Sequence, residues 1–286
     1  MDLSPAYTLG FGAATTCGLL GLLVAGQRVL SPGRTVAADN KRENLGRALL
    51  HVGQVLGVFF VATAVTASSV KGASPASDAL WVAVYGVAGL LVVAVSGHLG
   101  TKVLLESALA PEIDRGNAAA GLAAGAHYAA TGLLTAKALA GSTDLRGLGL
   151  SLVFYLIAQA TMHLLVIGFR ALTSYDDAAQ IRSENLAAAV SYAGITIGVG
   201  ILVGHAVDGD FEGWTVSLFA YGKALLGGLA FWPVRQILVQ GLLLGLGFRP
   251  IRGGLDTAIG ERRNVGAAAL EAVCYVATAL AVVRLA

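Results

Sequence analysis

Four times along the chain a Gly-x-Arg/Lys triplet is followed, 15 or 16 residues after its basic residue, by an asparagine that opens an alanine-rich apolar run. The four are Gly26-Gln27-Arg28 with Asn44, Gly100-Thr101-Lys102 with Asn117, Gly168-Phe169-Arg170 with Asn185, and Gly247-Phe248-Arg249 with Asn264. Successive asparagines stand 73, 68 and 79 residues apart, so one unit of about 70 residues is used four times. Self-similarity at a fixed period restricts a fold to copies of one supersecondary unit packed side by side. Each unit here holds two long apolar segments.

Those segments are too apolar for a soluble core. Of the 286 residues, 56% are hydrophobic and 13% charged, and the mean hydropathy is +0.74, which describes a chain solvated mostly by lipid. A bilayer core of ~30 Å needs ~20 apolar residues per helix. On that basis the sequence predicts eight spans, near 7–30, 46–68, 79–103, 117–140, 147–171, 186–207, 224–248 and 264–285. A transmembrane β-barrel would alternate apolar and polar residues, whereas Leu90 to Ser96 is almost continuously apolar. The expected class is therefore an all-α polytopic membrane protein, one membrane domain over 1–286 built from four tandem, parallel two-helix repeats near 7–68, 79–140, 147–207 and 224–286. The segment after Met1-Asp2-Leu3-Ser4-Pro5-Ala6 lacks a basic leader and is expected to be retained as a span. Cys17 and Cys274 fall in apolar segments without a partner at ligand spacing and read as buried free thiols.

Charge gives an orientation. The loops carrying the motif hold thirteen basic residues, including Arg28, Lys102, Arg170 and Arg249; the opposite side holds five, with Arg235 inside the seventh span. The positive-inside rule then puts the motif loops in the cytoplasm and both termini outside. No concentrated basic face suggests nucleic acid.

Repeats that all enter from one side relate by an axis along the membrane normal, so a bundle of approximate two-fold or four-fold symmetry is expected. Ser174-Tyr175-Asp176-Asp177 and Pro111-Glu112 look like helix starts, which predicts that each even-numbered span begins about two turns outside the membrane. The asparagines then have two readings. They cap shorter helices, or they face inward and hydrogen-bond between helices; the second is preferred because Ser, Thr or Asp would serve equally as caps. The Gly-x-Arg/Lys triplet is explained by close helix approach and a basic residue at a cytoplasmic helix end. Gly194-x-x-x-Gly198, Gly200-x-x-x-Gly204 and Gly241-x-x-x-Gly245 have the spacing of packing faces.

The runs Pro111-Glu112-Ile113-Asp114-Arg115-Gly116-Asn117 and Tyr175-Asp176-Asp177 through Gln180-Ile181-Arg182-Ser183-Glu184-Asn185, each leading into alanines, resemble the hallmark of the YjfL-like family of bacterial inner-membrane proteins. Shorter members are similar to half of this chain, which makes it a doubled form. The first and fourth units carry Lys41-Arg42-Glu43-Asn44 and Glu261-Arg262-Arg263-Asn264, and Ser183 replaces the arginine two positions before asparagine in the other units. The resemblance implies a helical membrane fold, an inner-membrane address and an association with envelope stress, and no established reaction.

Within the spans, His51 and Glu271 each stand seven residues after their asparagines, with Ala124 and Tyr192 at the equivalent positions. A desolvated carboxylate and a histidine can titrate near neutrality, so they read as a possible ion or proton site, or as a hydrogen-bonded pair pinning first and last units together. Gln54, His127, Gln159, His163, Arg235, Gln236 and Gln240 add further polarity. Neither a metal nor a cofactor is expected, since the five histidines lack His-x-x-x-His spacing. No catalytic residues are assigned: phosphate-loop and Gly-x-Ser-x-Gly motifs are missing, and no loop is long enough for a soluble catalytic domain. Two function classes remain: a non-enzymatic envelope protein acting in assembly or stress through helix packing and cytoplasmic turns, and a channel or transporter for protons, cations or another small solute. The partners expected are the lipid bilayer and a further copy or another membrane or cytoplasmic protein. A polar stripe continuous across spans would favour transport; scattered polar residues would favour assembly.

Overall fold

The computed structural model describes residues 5–30, 35–72, 74–105, 109–139 and 144–285, and among these it is helical throughout, without strands. Each unit is a long helix, a short helix and a second long helix. The first comprises α1 (Pro5–Leu30), α2 (Val36–Lys41) and α3 (Leu45–Ser69); the second α4 (Pro75–Leu104), α5 (Ala110–Asp114) and α6 (Ala118–Ala138). The third comprises α7 (Leu145–Arg170), α8 (Asp177–Arg182) and α9 (Leu186–Val207). The fourth holds α10 (Trp214–Leu243), α11 (254–261) and α12 (Val265–Leu285). Start signals are local: Ser74 accepts from the Ser77 N–H with Pro75 in the first turn, and Asp144 accepts from the Gly147 N–H.

The seventh span lies at 214–243 rather than near 224–248. Pro233 sits at its middle, where the helix tightens to 3-10 geometry over Leu226–Ala230 and widens to π geometry over Val234–Leu243. A proline cannot donate to the preceding turn, and the winding shifts on either side of it.

Seven of the long helices are long and apolar enough to cross a membrane; α6 is not among them. Its 21 residues are mostly Ala and Gly with one His and one Lys, and sixteen of them are buried. The reason is its place in a row. α3 packs along α6, α6 along α9, and α9 along α12, with no comparable contact joining α3 to α12, while α1, α4, α7 and α10 flank the row. Protein covers α6, so it does not need the apolar surface that lipid demands. In α9, 78% of the most apolar stretch is buried, against 39% in α3 and 28% in α12, as expected for interior and end members of an open row. In place of the expected rotational bundle, the described residues form a row that stays open within one chain.

The contacts along the row advance in step. A Cβ on Gly46 would meet the Asn117 carbonyl, one on Gly53 the Gly125 backbone, and one on Gly57 the Tyr128 carbonyl. The α9–α12 joint repeats this with Gly194 on Ala272 and Gly198 on Tyr275. These small residues let backbones meet closely enough for dispersion contacts to replace those lost to lipid.

The even helices do not begin outside as continuous rods. In every unit a short helix ends, the chain turns through one residue of positive φ, and a new helix starts at the asparagine. That residue is Glu43 (φ 53), Gly116 (φ 94), Glu184 (φ 62) or Arg263 (φ 52). Left-handed backbone ends a helix by letting the following N–H groups bond back, as Asn117 N does to the Glu112 carbonyl and Asn185 N to the Gln180 carbonyl. An L side chain costs about 1–2 kcal/mol there. Gly116 has open space where a Cβ would stand. Gly116→Val should therefore lower stability by about 1–2 kcal/mol through conformation alone, and Glu184→Gly should be neutral or stabilising; thermal unfolding in detergent measures both, and equal losses would contradict the account.

Candidate functional site

Each repeated asparagine caps its own helix, and the first three use both ends of the amide. The Oδ1 of Asn44 accepts from Arg47 N at 2.8 Å, that of Asn117 from Ala120 N at 3.0 Å, that of Asn185 from Ala187 N at 3.1 Å and that of Asn264 from Ala267 N at 3.1 Å. The Nδ2 of the first three donates to the end of the next unit's short helix. Asn44 reaches the Ile113 carbonyl at 3.0 Å, Asn117 the Ile181 carbonyl at 2.9 Å and Asn185 the Ile259 carbonyl at 2.9 Å. Cap and interhelical bond are one residue's work. Asp has no donor and Ser or Thr is too short to do both, which accounts for asparagine in the first three units. The fourth unit carries one extra residue, absorbed by the π turn Thr257–Glu261, so its acceptor lies five positions before Asn264 rather than four.

The basic residues of the triplets do not share a fate. Arg28, Lys102 and Arg249 are exposed, whereas the Arg170 side chain is 9% exposed. Arg170 pairs with Asp177, with Nε 2.5 Å from Oδ2, donates to Ser191 Oγ at 2.9 Å and lies 5.1 Å from the Tyr175 ring centroid. Ser191 donates to Glu271 Oε2 at 2.5 Å; Glu271 Oε1 accepts from Arg235 Nε at 2.6 Å and from the Tyr275 hydroxyl at 3.1 Å. Arg235 completes the chain on Asp256 at 2.5 Å. Three carboxylates, two guanidiniums and the Ser191 hydroxyl thus tie every helix of the second half together, with Glu271 fully buried. At the margin of this cluster nearest the asparagine turns, burial pushes the Asp177 carboxyl up in spite of Arg170, and burial with the nearby Glu271 charge pushes the Tyr175 phenol up to about 12.

Glu271 and His51 are not brought together, because they sit at opposite ends of the row. His51 Nε2 lies 2.9 Å from Asp39 Oδ2 and its Nδ1 3.0 Å from Gln54 Oε1. In the first half the location of the charged cluster is hollow. Leu50 and Ala124 stand where Ser191 and Glu271 stand in the second half, and they line a cavity of about 340 Å³ with Gln54, His98, Lys102 and Tyr128.

A third polar grouping was hidden in the sequence by its two separate helices. His127, Thr131 and Thr135 fall on one face of α6, and Tyr155, Gln159 and His163 on one face of α7, each set spaced by four. Tyr155 donates to Gln159 Oε1 at 2.9 Å, Gln159 Nε2 lies 3.1 Å from His163 Nε2, and the His163 ring stacks on His127 at 5.4 Å. Gly100 admits both imidazoles, since a Cβ there would collide with His127 and crowd His163. His127 and Thr131 are fully buried, and among the described residues neither imidazole nitrogen of His127 nor the Thr131 hydroxyl has a partner within hydrogen-bonding geometry. At its Tyr155 end the file approaches a second cavity of about 270 Å³, lined by Lys137, Ser151 and Asp208 among others. At its His127 end Ala124 and Tyr128 border the cavity of the first half.

These features define a multi-pass membrane protein made by tandem duplication, with a polar junction between its halves. A family model described as Domain of Unknown Function (DUF350) matches residues 2–139 and 142–285. The chain belongs to that family and carries two copies of its domain, as the resemblance of the repeated motifs implies. No curated protein and no solved structure matches it.

Removing one member of a buried ion pair leaves the other charge unpaired and costs about 3–5 kcal/mol. Arg235→Met, which strands both Glu271 and Asp256, should be the most destabilising single change in the cluster; Glu271→Gln keeps hydrogen-bonding capacity and leaves Arg235 on Asp256. Thermal melts in detergent should rank them in that order, and the reverse ranking would overturn the pairing scheme.

Proposed function

We propose that this chain is a non-enzymatic bacterial inner-membrane protein that conducts protons along the junction of α4, α6 and α7. In this reading α6 is the eighth span, the four repeats run parallel, the asparagine turns lie in the cytoplasm and both termini lie outside. The observation that carries the proposal is the file His127–His163–Gln159–Tyr155, flanked by Thr131 and Thr135 and lying between two cavities. From Ser151 to His163 it covers about 18 Å of helix at 1.5 Å per residue, more than half of a hydrocarbon core of ~30 Å.

Energetics support a functional origin. A buried polar atom without a partner costs about 1–3 kcal/mol, and apolar residues of similar shape would stabilise a purely structural joint. Ionisable residues inside a bilayer are costly and mark proton or ion routes. The two imidazoles are the groups of the file that can take up and release a proton, while Gln159 lies between His163 and Tyr155 and orients both. The paired cluster around Glu271 suits a lock better than a route, because every carboxylate in it already faces an arginine.

A second reading, assembly or an envelope-stress role through helix packing and cytoplasmic turns, is favoured by that lock and by the asparagine relay. Flux separates the two. Proteoliposomes carrying an internal pH dye, given a potassium–valinomycin potential, should acidify or alkalinise according to its sign. His163→Phe, which keeps the stack and removes the proton site, should abolish the signal, and Glu271→Gln should retain it in the folded fraction. A silent wild-type protein, repeated with sodium and chloride dyes, would remove transport and leave assembly. For orientation, a cysteine at exposed Glu184, in a background lacking Cys17 and Cys274, should react with impermeant reagents only from the cytoplasmic side.

A further inference from the structure

Every unit forms a three-walled groove from its first long helix, its short helix and its second long helix, and in the second, third and fourth units the preceding unit's second long helix fills it. α3 lies against α4, α5 and α6; α6 against α7, α8 and α9; α9 against α10, α11 and α12. At each joint the filling helix offers its asparagine amide to the end of the short helix. The first unit has the same groove and no preceding unit within the chain. A cavity of about 560 Å³ opens there, lined from α1, α2 and α3 by Val24, Val36, Ala37, Ala48, Val52 and Leu56 among others. At the other end of the row α12 fills no groove among the described residues. Asn264 is exposed, and among the described residues its side chain only caps its own helix.

We infer that the two ends are complementary, and that α12 of one copy occupies the α1–α2–α3 groove of a second copy. The register follows from the internal joints. Gly46, two residues after its asparagine, meets the backbone of Asn117, and Gly121, four after its own, meets that of Gly46. Between copies the same places are held by Gly266 and Ala48, both exposed and both small. Asn264 then faces the last-turn carbonyls of α2, at Asn40 and Lys41, four and three positions before Asn44. Deeper in the membrane Gly53 meets Gly125 and Gly194 meets Ala272, whereas the same register sets Val273 against Val52. These valines are 57% and 55% exposed in the single chain. The joint between copies is therefore wider than those inside the chain, and an association that is reversible follows. Because the two surfaces differ, the contact is heterologous and builds a ring if its rotation closes, or a row if it does not.

Cysteine pairing tests this directly in lipid nanodiscs or native membranes. In a background lacking Cys17 and Cys274, one tagged full-length chain carries Gly266→Cys and a second, differently tagged, carries Ala48→Cys. Oxidation should link the mixed chains and neither chain alone. Asn264→Ala in the first chain should lower the yield roughly threefold or more, the effect of losing one interhelical polar contact in a bilayer, and Val52→Trp in the second should block it. Linkage of either single-cysteine chain with itself would show a self-facing contact and overturn the proposal. So would monomers throughout, with only lipid in the groove, or linkage of the groove cysteine to a different membrane protein.

Discussion

The fold depends on an amide with two ends. A helix start leaves N–H groups without partners, and a short helix end leaves carbonyls in the same condition. An asparagine placed between the two satisfies both, one on its own helix and one on the next unit. Burial follows the relay: Asn185 is fully buried, Asn117 nearly so, Asn44 half-buried and Asn264 exposed. Lipid supplies no hydrophobic drive for helix pairing, so polar contacts at the margin and close glycine contacts within set the register together. The left-handed residue just before each asparagine belongs to the same device, because it turns the short helix's last carbonyls toward the neighbour.

Duplication and divergence explain the contrast between the halves. With Ser191, Glu271 and Tyr275 in place, the second half closes on a cluster that engages all its helices. With Leu50 and Ala124 at two of the same places, the first half encloses a cavity. Tyr128 and Tyr275, both eleven residues after their asparagines, are the shared remnant. The polar file lies at the seam between the halves, where α7 opens the second domain copy against α6 of the first.

Much of this was legible in the sequence, for physical reasons. The four asparagines, the triplets and the apolar periods are local patterns, and they carry the helical membrane class, the repeat and the doubling. Other features needed three dimensions. The asparagine could be read as cap or as bridge, and no local signal shows that one residue does both. The short helices looked like the first turns of long ones, because the left-handed Glu184 is not a residue that announces a break. Arg235 and Glu271 stand 36 residues apart with nothing in their spacing to pair them. The file between α6 and α7 did leave a trace, two sets of polar residues at spacings of four, but the sets face each other only once antiparallel helices are packed. The row, rather than a closed bundle, follows from contact geometry that composition does not carry.

The low apolarity of α6 bears on how the protein is made. A span enters the bilayer on its own when its side chains gain enough by leaving water, and a helix rich in Ala and Gly with a central histidine and a lysine near its end gains little. In the proposed topology, where α6 is the eighth span, its partners supply the difference by covering His127 and the backbone. Since α4 emerges before α6 and α7 after it, the middle of the molecule is secured only when the second domain copy has begun to follow the first out of the ribosome. On the topology proposed above, a chain cut between the two copies would leave α6 without the α7 and α9 contacts that cover it.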